Sequence, residues 1–394
     1  MTRSDAASGI EGWADPRFKD VHVAFAEALA RSHGRGCALH VRRRGEVVVD
    51  LWGGMARGRS PWNDRTAAAV FSCTKGLVAI LMGELVVEGR VMLDEPVASY
   101  WPEFAENGKT EITVRHVLAH RAGLPALRRD ITSTEMLDWE LMTTLLAAER
   151  PYFEPDSGHL YHAVTYGWLA GEIIRRVTGR SVGQFLQERI SDPLGVDAWI
   201  GIPQSELHRV AEIYEEPWSG PPLPVEEFVG DRTEVDELGL RPITLGSTSP
   251  LGFRPGEGMN SDAFRQAELP GMGGIATARA LATIWSAAVT EQEKVRLLSR
   301  GVIDEMTEPV SWGAPAGRSM PPFASWGSGF SLPSDAQRML SPSSFGHDGV
   351  GGQVAFADME SGVGFAFVTN DVQPPGDRRA SSIVEATRRA LADM

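Results

Sequence analysis

The chain is poor in cysteine. Its 394 residues include two, Cys37 and Cys73, which excludes a disulfide framework. It is also poor in lysine, with four (Lys19, Lys75, Lys109 and Lys294), and its 38 basic residues face 52 acidic ones for a formal charge of −14. A field of that sign repels phosphate backbones and anionic lipid surfaces, so no nucleic acid is expected as a partner. No stretch approaches the ~18 uncharged apolar residues of a membrane span, and no membrane partner is expected. The opening MTRSDAASGIEGWADPRF lacks the apolar core of a signal peptide, and a cytoplasmic location is the expectation. Internal repeats and low-complexity tracts are absent.

What remains is an ordinary globular composition, 42% hydrophobic and 23% charged, long enough for two domains or one large mixed one. Val21 to Arg31 reads as a helix. CALHVRRRGEVVVDLWGG reads as a hairpin around Arg44–Gly45, with Arg42 to Arg44 a solvated charge cluster at its tip. From Phe71 to Glu88 the apolar residues fall at helical spacing and cover almost the whole circumference, which predicts a buried helix. Helical segments broken by Gly123–Pro125, Pro151 and Pro155–Gly158 run from about Thr113 to Arg189. A Pro/Gly-rich zone from Pro217 to Pro255 reads as long surface loops. ATARALATIWSAAV returns to helix, QVAFADMESGVGFAFVTND gives two strands about Glu360–Gly362, and RRASSIVEATRRALADM closes as a helix.

Strands thus come from both ends of the chain and helices from its middle. The simplest architecture is a mixed α/β fold of the α+β type: an antiparallel sheet from both termini, with flanking helices and a helical insertion. The expected division is residues 1–105 with 250–394 as the mixed domain and 106–249 as the mainly helical one, with a cleft between them.

Three segments bear chemistry. Ser72 and Lys75 open the buried helix three residues apart, on one face, so the amine can reach the hydroxyl. Burial at the positive end of the helix dipole disfavours the ammonium and frees the amine to help deprotonate the serine. The plain alternative makes Ser72 an N-cap and Lys75 a solvated first-turn residue. Tyr161 follows a Pro/Gly-marked loop and precedes a helix, a placement that can aim its phenol into a cleft. There a nearby lysine would let it share its proton more readily; the alternative is simple packing. His347-Asp348-Gly349 lies before a glycine-rich strand, where the amides of Val350 and Ser72 could form an oxyanion hole; the alternative is a glycine turn with a surface histidine.

In this order the three segments resemble the S-x-x-K, Tyr-led and K-T-G motifs of the serine β-lactamase and penicillin-binding-protein superfamily. More closely, the chain is similar to the family VIII carboxylesterases, esterases on a class C β-lactamase fold. The likeness extends over FSCTKGLVAILMGELVVEGRVMLDEPVASYWPEF, ITVRHVLAHRAGLPAL, YHAVTYGWLAGEIIRRVTGRSVGQFLQE, PGMGGIATARALATI and FGHDGVGGQVAFADMESGVGFAFVTN. It implies that Ser72 is the acylated nucleophile, Lys75 its proton-sharing partner and Tyr161 the general base. His347, Gly349, Val350 and His162 become the oxyanion- and substrate-binding residues. Two departures matter. Tyr161-His162-Ala163 lacks the amide side chain of the β-lactamases' Tyr-x-Asn, and His347 replaces the lysine of K-T-G. Both favour uncharged small esters over penicillins. The implied activity is a carboxylesterase that needs no cofactor or metal. D-amino-acid peptidase or amidase, acyltransferase and weak β-lactamase activity remain as alternatives, as does a non-catalytic acylatable sensor. The oligomeric state is left open.

Other signals are set aside. Gly179-Arg180-Ser181-Val182-Gly183 matches a G-x-S-x-G elbow, but a helix precedes it, so Gly179 reads as a C-cap and Ser181 with Gln184 as a capping box. His116 and His120 have i, i+4 spacing without a third ligand, and structural roles are expected. Cys73 reads as core. Trp139, Met142, Trp218, Met259, Met272, Trp312 and Trp326 are candidates for an apolar acyl pocket, with packing as the alternative.

Overall fold

The computed structural model describes residues 9–215, 234–246, 252–292, 294–317, 319, 321–373 and 377–394. The hairpin expected at Arg44–Gly45 forms with both residues at positive φ, +48° and +88°, the twist that a two-residue loop requires. It joins the second and third strands of the main sheet. The first three strands are β1 (Ile10–Ala14), β2 (Cys37–Arg43) and β3 (Glu46–Gly53). The rest come from the other end of the chain: β4 (Ser325–Trp326), β5 (Ser331–Leu332), β6 (Ser344–Gly349), β7 (Gln353–Asp358) and β8 (Val363–Thr369). The order is β1-β3-β2-β8-β7-β6-β5-β4, antiparallel throughout. The sheet of both chain ends is therefore closed by the β2–β8 pair, from Cys37 opposite Thr369 to Arg43 opposite Val363.

Alternation along β8 sorts its side chains onto two layers. Phe365 and Phe367 join Phe18, Val21, Phe25, Leu39, Val41, Phe356 and Ile383 beneath the helices α1 (Lys19–Ala30) and Arg379–Ala392. Ala366 and Val368 face the other layer, which contains α2 (Cys73–Val87) and the helix Ala278–Val289. Gly364 sits under that last helix so closely that a Cβ would stand 2.3 Å from the Ala282 carbonyl oxygen.

The apolar pattern of α2 has its expected consequence: every residue from Cys73 to Leu85 is buried. Leu77, Val78, Ile80, Leu81, Met82 and Leu85 alone contribute on the order of 10 kcal/mol of transfer free energy before the entropy of ordering them. The helix is thus a rigid platform for whatever its first turn carries.

The middle of the chain supplies α3 (Val114–Leu118), α4 (Trp139–Ala148), α5 (Tyr166–Thr178) and α6 (Val182–Leu186). Gly179 ends α5 in the left-handed region and Ser181 opens α6 in a reciprocal capping box with Gln184. The G-x-S-x-G stretch is therefore a helix junction. A short three-stranded sheet, Ala68–Ala69 and Ala198–Ile200 on either side of Gly274–Ala276, ties this part to the chain entering α2.

Two local expectations need correction, and the histidine pair set aside above has no shared face. Arg42 and Arg43 belong to β2 and are half-buried, Arg42 donating to the Gly45 carbonyl at 2.7 Å, so only Arg44 is an exposed tip residue. His116 and His120 do not share a helical face, because α3 ends at Leu118 and His120 turns away with φ +63°. His347-Asp348-Gly349 is itself strand, the end of β6, rather than a turn before one. In the Pro217–Pro255 zone, residues 216–233 and 247–251 lie outside the described residues. Among the described residues no helix is long and apolar enough to cross a membrane.

Candidate active site

The chain enters α2 through a strained turn. The Val70 amide donates to the Gly274 carbonyl at 2.9 Å, and Phe71 follows with φ +46°, a region costly for a bulky residue. Thr74 holds the turn, its hydroxyl donating to the Phe71 carbonyl and accepting from the Gly274 amide at 2.8 Å. The bend presents Ser72, part-exposed, at the N-cap position of α2. Its side chain makes no capping bond, so the plain N-cap alternative does not describe it. The hydroxyl oxygen instead lies 3.1 Å from Lys75 Nζ.

Lys75 is wholly buried. Besides Ser72, its Nζ reaches two backbone carbonyls, Ala163 and Gly271, each at 2.7 Å. Burial pushes its pKa down to about 7, against the pull of the Asp348 carboxylate. No carboxylate touches the amine among the described residues.

Tyr161 stands in the irregular stretch before α5, its ring 4.8 Å below Lys75 Nζ and stacked on Trp326 with centroids 5.8 Å apart. Burial pushes its phenol above the ordinary range, against the opposing pull of a hydrogen bond with Ser72. The low-dielectric surroundings that lower the lysine's pKa penalise the phenolate, a shift opposite to the one a nearby lysine alone would give.

β6 forms the opposite wall. Its Gly349 passes so near the Ser72 turn that a Cβ there would stand 2.6 Å from the Val70 carbonyl oxygen and 3.3 Å from Phe71 Cβ. Val350, exposed, follows in the turn to β7. His347 is buried, its ring centroid 6.1 Å from that of Tyr161. Its Nδ1 lies 2.7 Å from the Asp348 carbonyl oxygen, which can only accept, so Nδ1 carries the proton and Nε2 is a bare acceptor. Burial lowers its pKa to about 4, leaving it uncharged at neutral pH.

The structure therefore brings Ser72, Lys75, Tyr161, His347 and Gly349 to one place, with Val350 next along the chain. His162 is different. Its Nδ1 donates to the Leu160 carbonyl at 2.6 Å and its Nε2 accepts from the Leu124 amide at 3.0 Å. Both ring nitrogens are committed to backbone, so its expected part in substrate binding is withdrawn; it braces the loop.

Of the apolar-pocket candidates among the described residues, Trp326 alone stacks on Tyr161. Met142, Met259 and Met272 are core residues, Trp312 is exposed, Trp139 donates to Glu172 at 2.7 Å, and Trp218 lies outside the described residues. Cys73 is core as expected, its thiol donating to the His347 carbonyl at 3.3 Å. Sequence reasoning missed His120, which is buried against Tyr161, and the Ala163 and Gly271 carbonyls that hold the amine. The glycine-rich stretch Gly271-Met272-Gly273-Gly274 was the available signal for a close backbone approach. A surface recess of about 540 Å³ between Ala56–Thr66 and His208–Val210 has none of these groups in its lining.

The family model described as Beta-lactamase matches residues 23–388. The chain is 33% identical over 411 residues to the esterase/beta-lactamase LipL of Mycobacterium tuberculosis, covering 94% of this chain and 85% of that protein. Among solved structures it is similar to a family VIII carboxylesterase, with 32% identity, a TM-score of 0.84 and coverage of 97% and 99% of the two chains. It is likewise similar to a penicillin-binding protein homolog from Caulobacter crescentus, with 35% identity, a TM-score of 0.83 and coverage of 97% and 99%.

Proposed function

Because the chain belongs to the beta-lactamase family, and is an esterase/β-lactamase-fold serine hydrolase, we propose that it cleaves small uncharged carboxylic esters through an acyl-enzyme on Ser72. The observation that carries this reading is the dry amine of Lys75, held by two carbonyls at 2.7 Å with the Ser72 hydroxyl at 3.1 Å. A neutral amine has two N–H groups and one lone pair. With the N–H groups committed to Ala163 and Gly271, the lone pair faces Ser72.

The proposed sequence follows from that polarity. Ser72 Oγ attacks the ester carbonyl and its proton passes to Lys75 Nζ. The amides of Ser72 and Val350, neither of which donates in the backbone hydrogen bonds among the described residues, receive the oxyanion at about 3 kcal/mol each. Tyr161, protonated at the start, gives its proton to the departing alkoxide, and the new phenolate lies beside the Lys75 ammonium. Water then attacks the acyl-enzyme and returns a proton to Tyr161, while Ser72 leaves with the proton from Lys75. In this scheme Lys75 is the base toward serine and Tyr161 the acid toward the alcohol. The same proposal assigns Ser72 and Lys75 to a domain of residues 1–105 and 250–394, and Tyr161 to a helical domain of residues 106–249.

Substrate class follows from His347. An uncharged ring with a bare Nε2 offers a carboxylate no cation to pair with. Acetate and butyrate p-nitrophenyl esters should therefore exceed a chromogenic cephalosporin, which carries a carboxylate, by at least about 10²-fold in kcat/KM. Comparable values for the two would count against the uncharged-ester reading.

A further inference from the structure

The His116–His120 segment, whose histidine pair does not form a metal face, has another use at its far end. His120 is 1% exposed and holds φ +63°. Its backbone carbonyl accepts the Leu160 amide at 3.0 Å, and its ring Nδ1 accepts the His162 amide at 3.2 Å. These are the two amides flanking Tyr161. The imidazole also meets the phenol ring edge-on, with centroids 4.7 Å apart, and Trp326 lies against both rings. Tyr161 stands outside any helix or strand, so the ladder bonds that usually set a side chain's direction are missing there. One residue, held in an uncommon backbone conformation, supplies acceptors to both sides of it.

The polarity is set by the bond itself. An Nδ1 that accepts from an amide carries no proton, so the neutral ring keeps its proton on Nε2. The groups facing the ring are Lys75 from α2, His347 from β6, His159, Tyr161 and His162 from the preceding loop, and Tyr166 from α5. Burial and the basic members of that set oppose a second proton.

We propose that His120 is a positioning residue for Tyr161: by accepting the amides on both flanks, it fixes where the phenol stands relative to Ser72. The inference rests on the role given to Tyr161 above. Side-chain substitution leaves the carbonyl bracket in place and removes the ring's share, and a displacement of about 1 Å at a reacting group can cost about 10²-fold.

Two variants separate acceptor from ring. His120→Asn keeps an acceptor, because Asn Oδ1 is bonded to Cγ as His Nδ1 is, and asparagine tolerates positive φ. His120→Phe keeps a ring and loses the acceptor. Both are measured with a p-nitrophenyl ester, alone and combined with Tyr161→Phe, with folding checked by circular dichroism. H120N should keep kcat within about fivefold, whereas H120F should lose about 10²-fold in kcat with KM little changed. On the Tyr161→Phe background H120F should add less than about threefold. A folded H120F with normal kcat overturns the proposal, as does an H120N as slow as H120F, or an H120F loss undiminished on Tyr161→Phe. Should H120F not fold, His120→Leu, which also lacks the acceptor, takes its place beside H120N: a slow, folded H120L with near-normal H120N upholds the clamp, and a 10²-fold loss in H120N or a normal H120L overturns it. Normal kcat in Tyr161→Phe itself overturns the Tyr161 reading as well. Slow Tyr161→Phe with normal H120F overturns the clamp alone.

Discussion

Replacing Ser72 with alanine lowers turnover of a p-nitrophenyl ester by on the order of 10⁶-fold, to the residue of catalysis that oxyanion donors and binding supply without a nucleophile. The neighbourhood offers no substitute. Cys73, the adjacent nucleophilic atom, is buried on the far side of the turn with its thiol on the His347 carbonyl, and burial pushes its pKa well up. Tyr161 keeps its proton in the same dry surroundings. The variant should stay folded, because the Ser72 side chain makes no capping bond and α2 is held by its apolar circumference. Its stability is expected within about 0.5 kcal/mol of the parent. Parallel thermal melts and ester kinetics check both halves, and an alanine variant that still turns over at a tenth of the parent rate would move the nucleophile elsewhere.

Lys75→Met is the second large effect, expected at about 10²–10⁴-fold in kcat through loss of the base. It differs from the first in also costing stability. The Ala163 and Gly271 carbonyls lose their donor, at about 1–3 kcal/mol for each buried acceptor left unmet. The catalytic part is separated by pH. Burial lowers the Lys75 pKa from 10.5 to about 7, and the reactive form is the deprotonated one above that value. The parent's kcat/KM should rise with pH, tenfold per unit below about 7, and level off above it. His347 and His162, lowered to about 4, are uncharged across that window and add no limb there. The methionine variant should lack the rise. A limb that persists in Lys75→Met would assign it to another group.

Much of this molecule is legible in local sequence. The hairpin at Arg44–Gly45, the apolar circumference of α2, the Ser181–Gln184 box and the strands about Glu360–Gly362 are each decided by residues within one element, where periodicity and turn chemistry act. Ser72 and Lys75 are legible for the same reason, being one helical turn apart. What depends on distant partners is not. His120 adopts φ +63° because residues 160–162 bind its carbonyl and ring. His162 turns to Leu160 and Leu124 because backbone groups there need partners. Trp326 reaches Tyr161 from 165 positions along the chain, a pairing with no local signature. The titration of the Tyr161 phenol depends on how much protein surrounds it as well as on the nearby lysine, and no local pattern records that burial. The Gly271 and Ala163 carbonyls that hold Lys75 carry no side-chain signal at all.

The proposed reaction passes through a covalent bond at one hydroxyl. A p-nitrophenyl ester mixed with the enzyme, quenched in acid within the first turnovers and digested for peptide mass spectrometry, reports that bond directly. The acyl mass is expected on the peptide carrying Ser72-Cys73-Thr74-Lys75, at the hydroxyl of Ser72, with more of it retained in Tyr161→Phe because the step that returns a proton through the phenol is slowed. Acyl mass found on another residue, or turnover with no acyl-peptide in either protein, would contradict it.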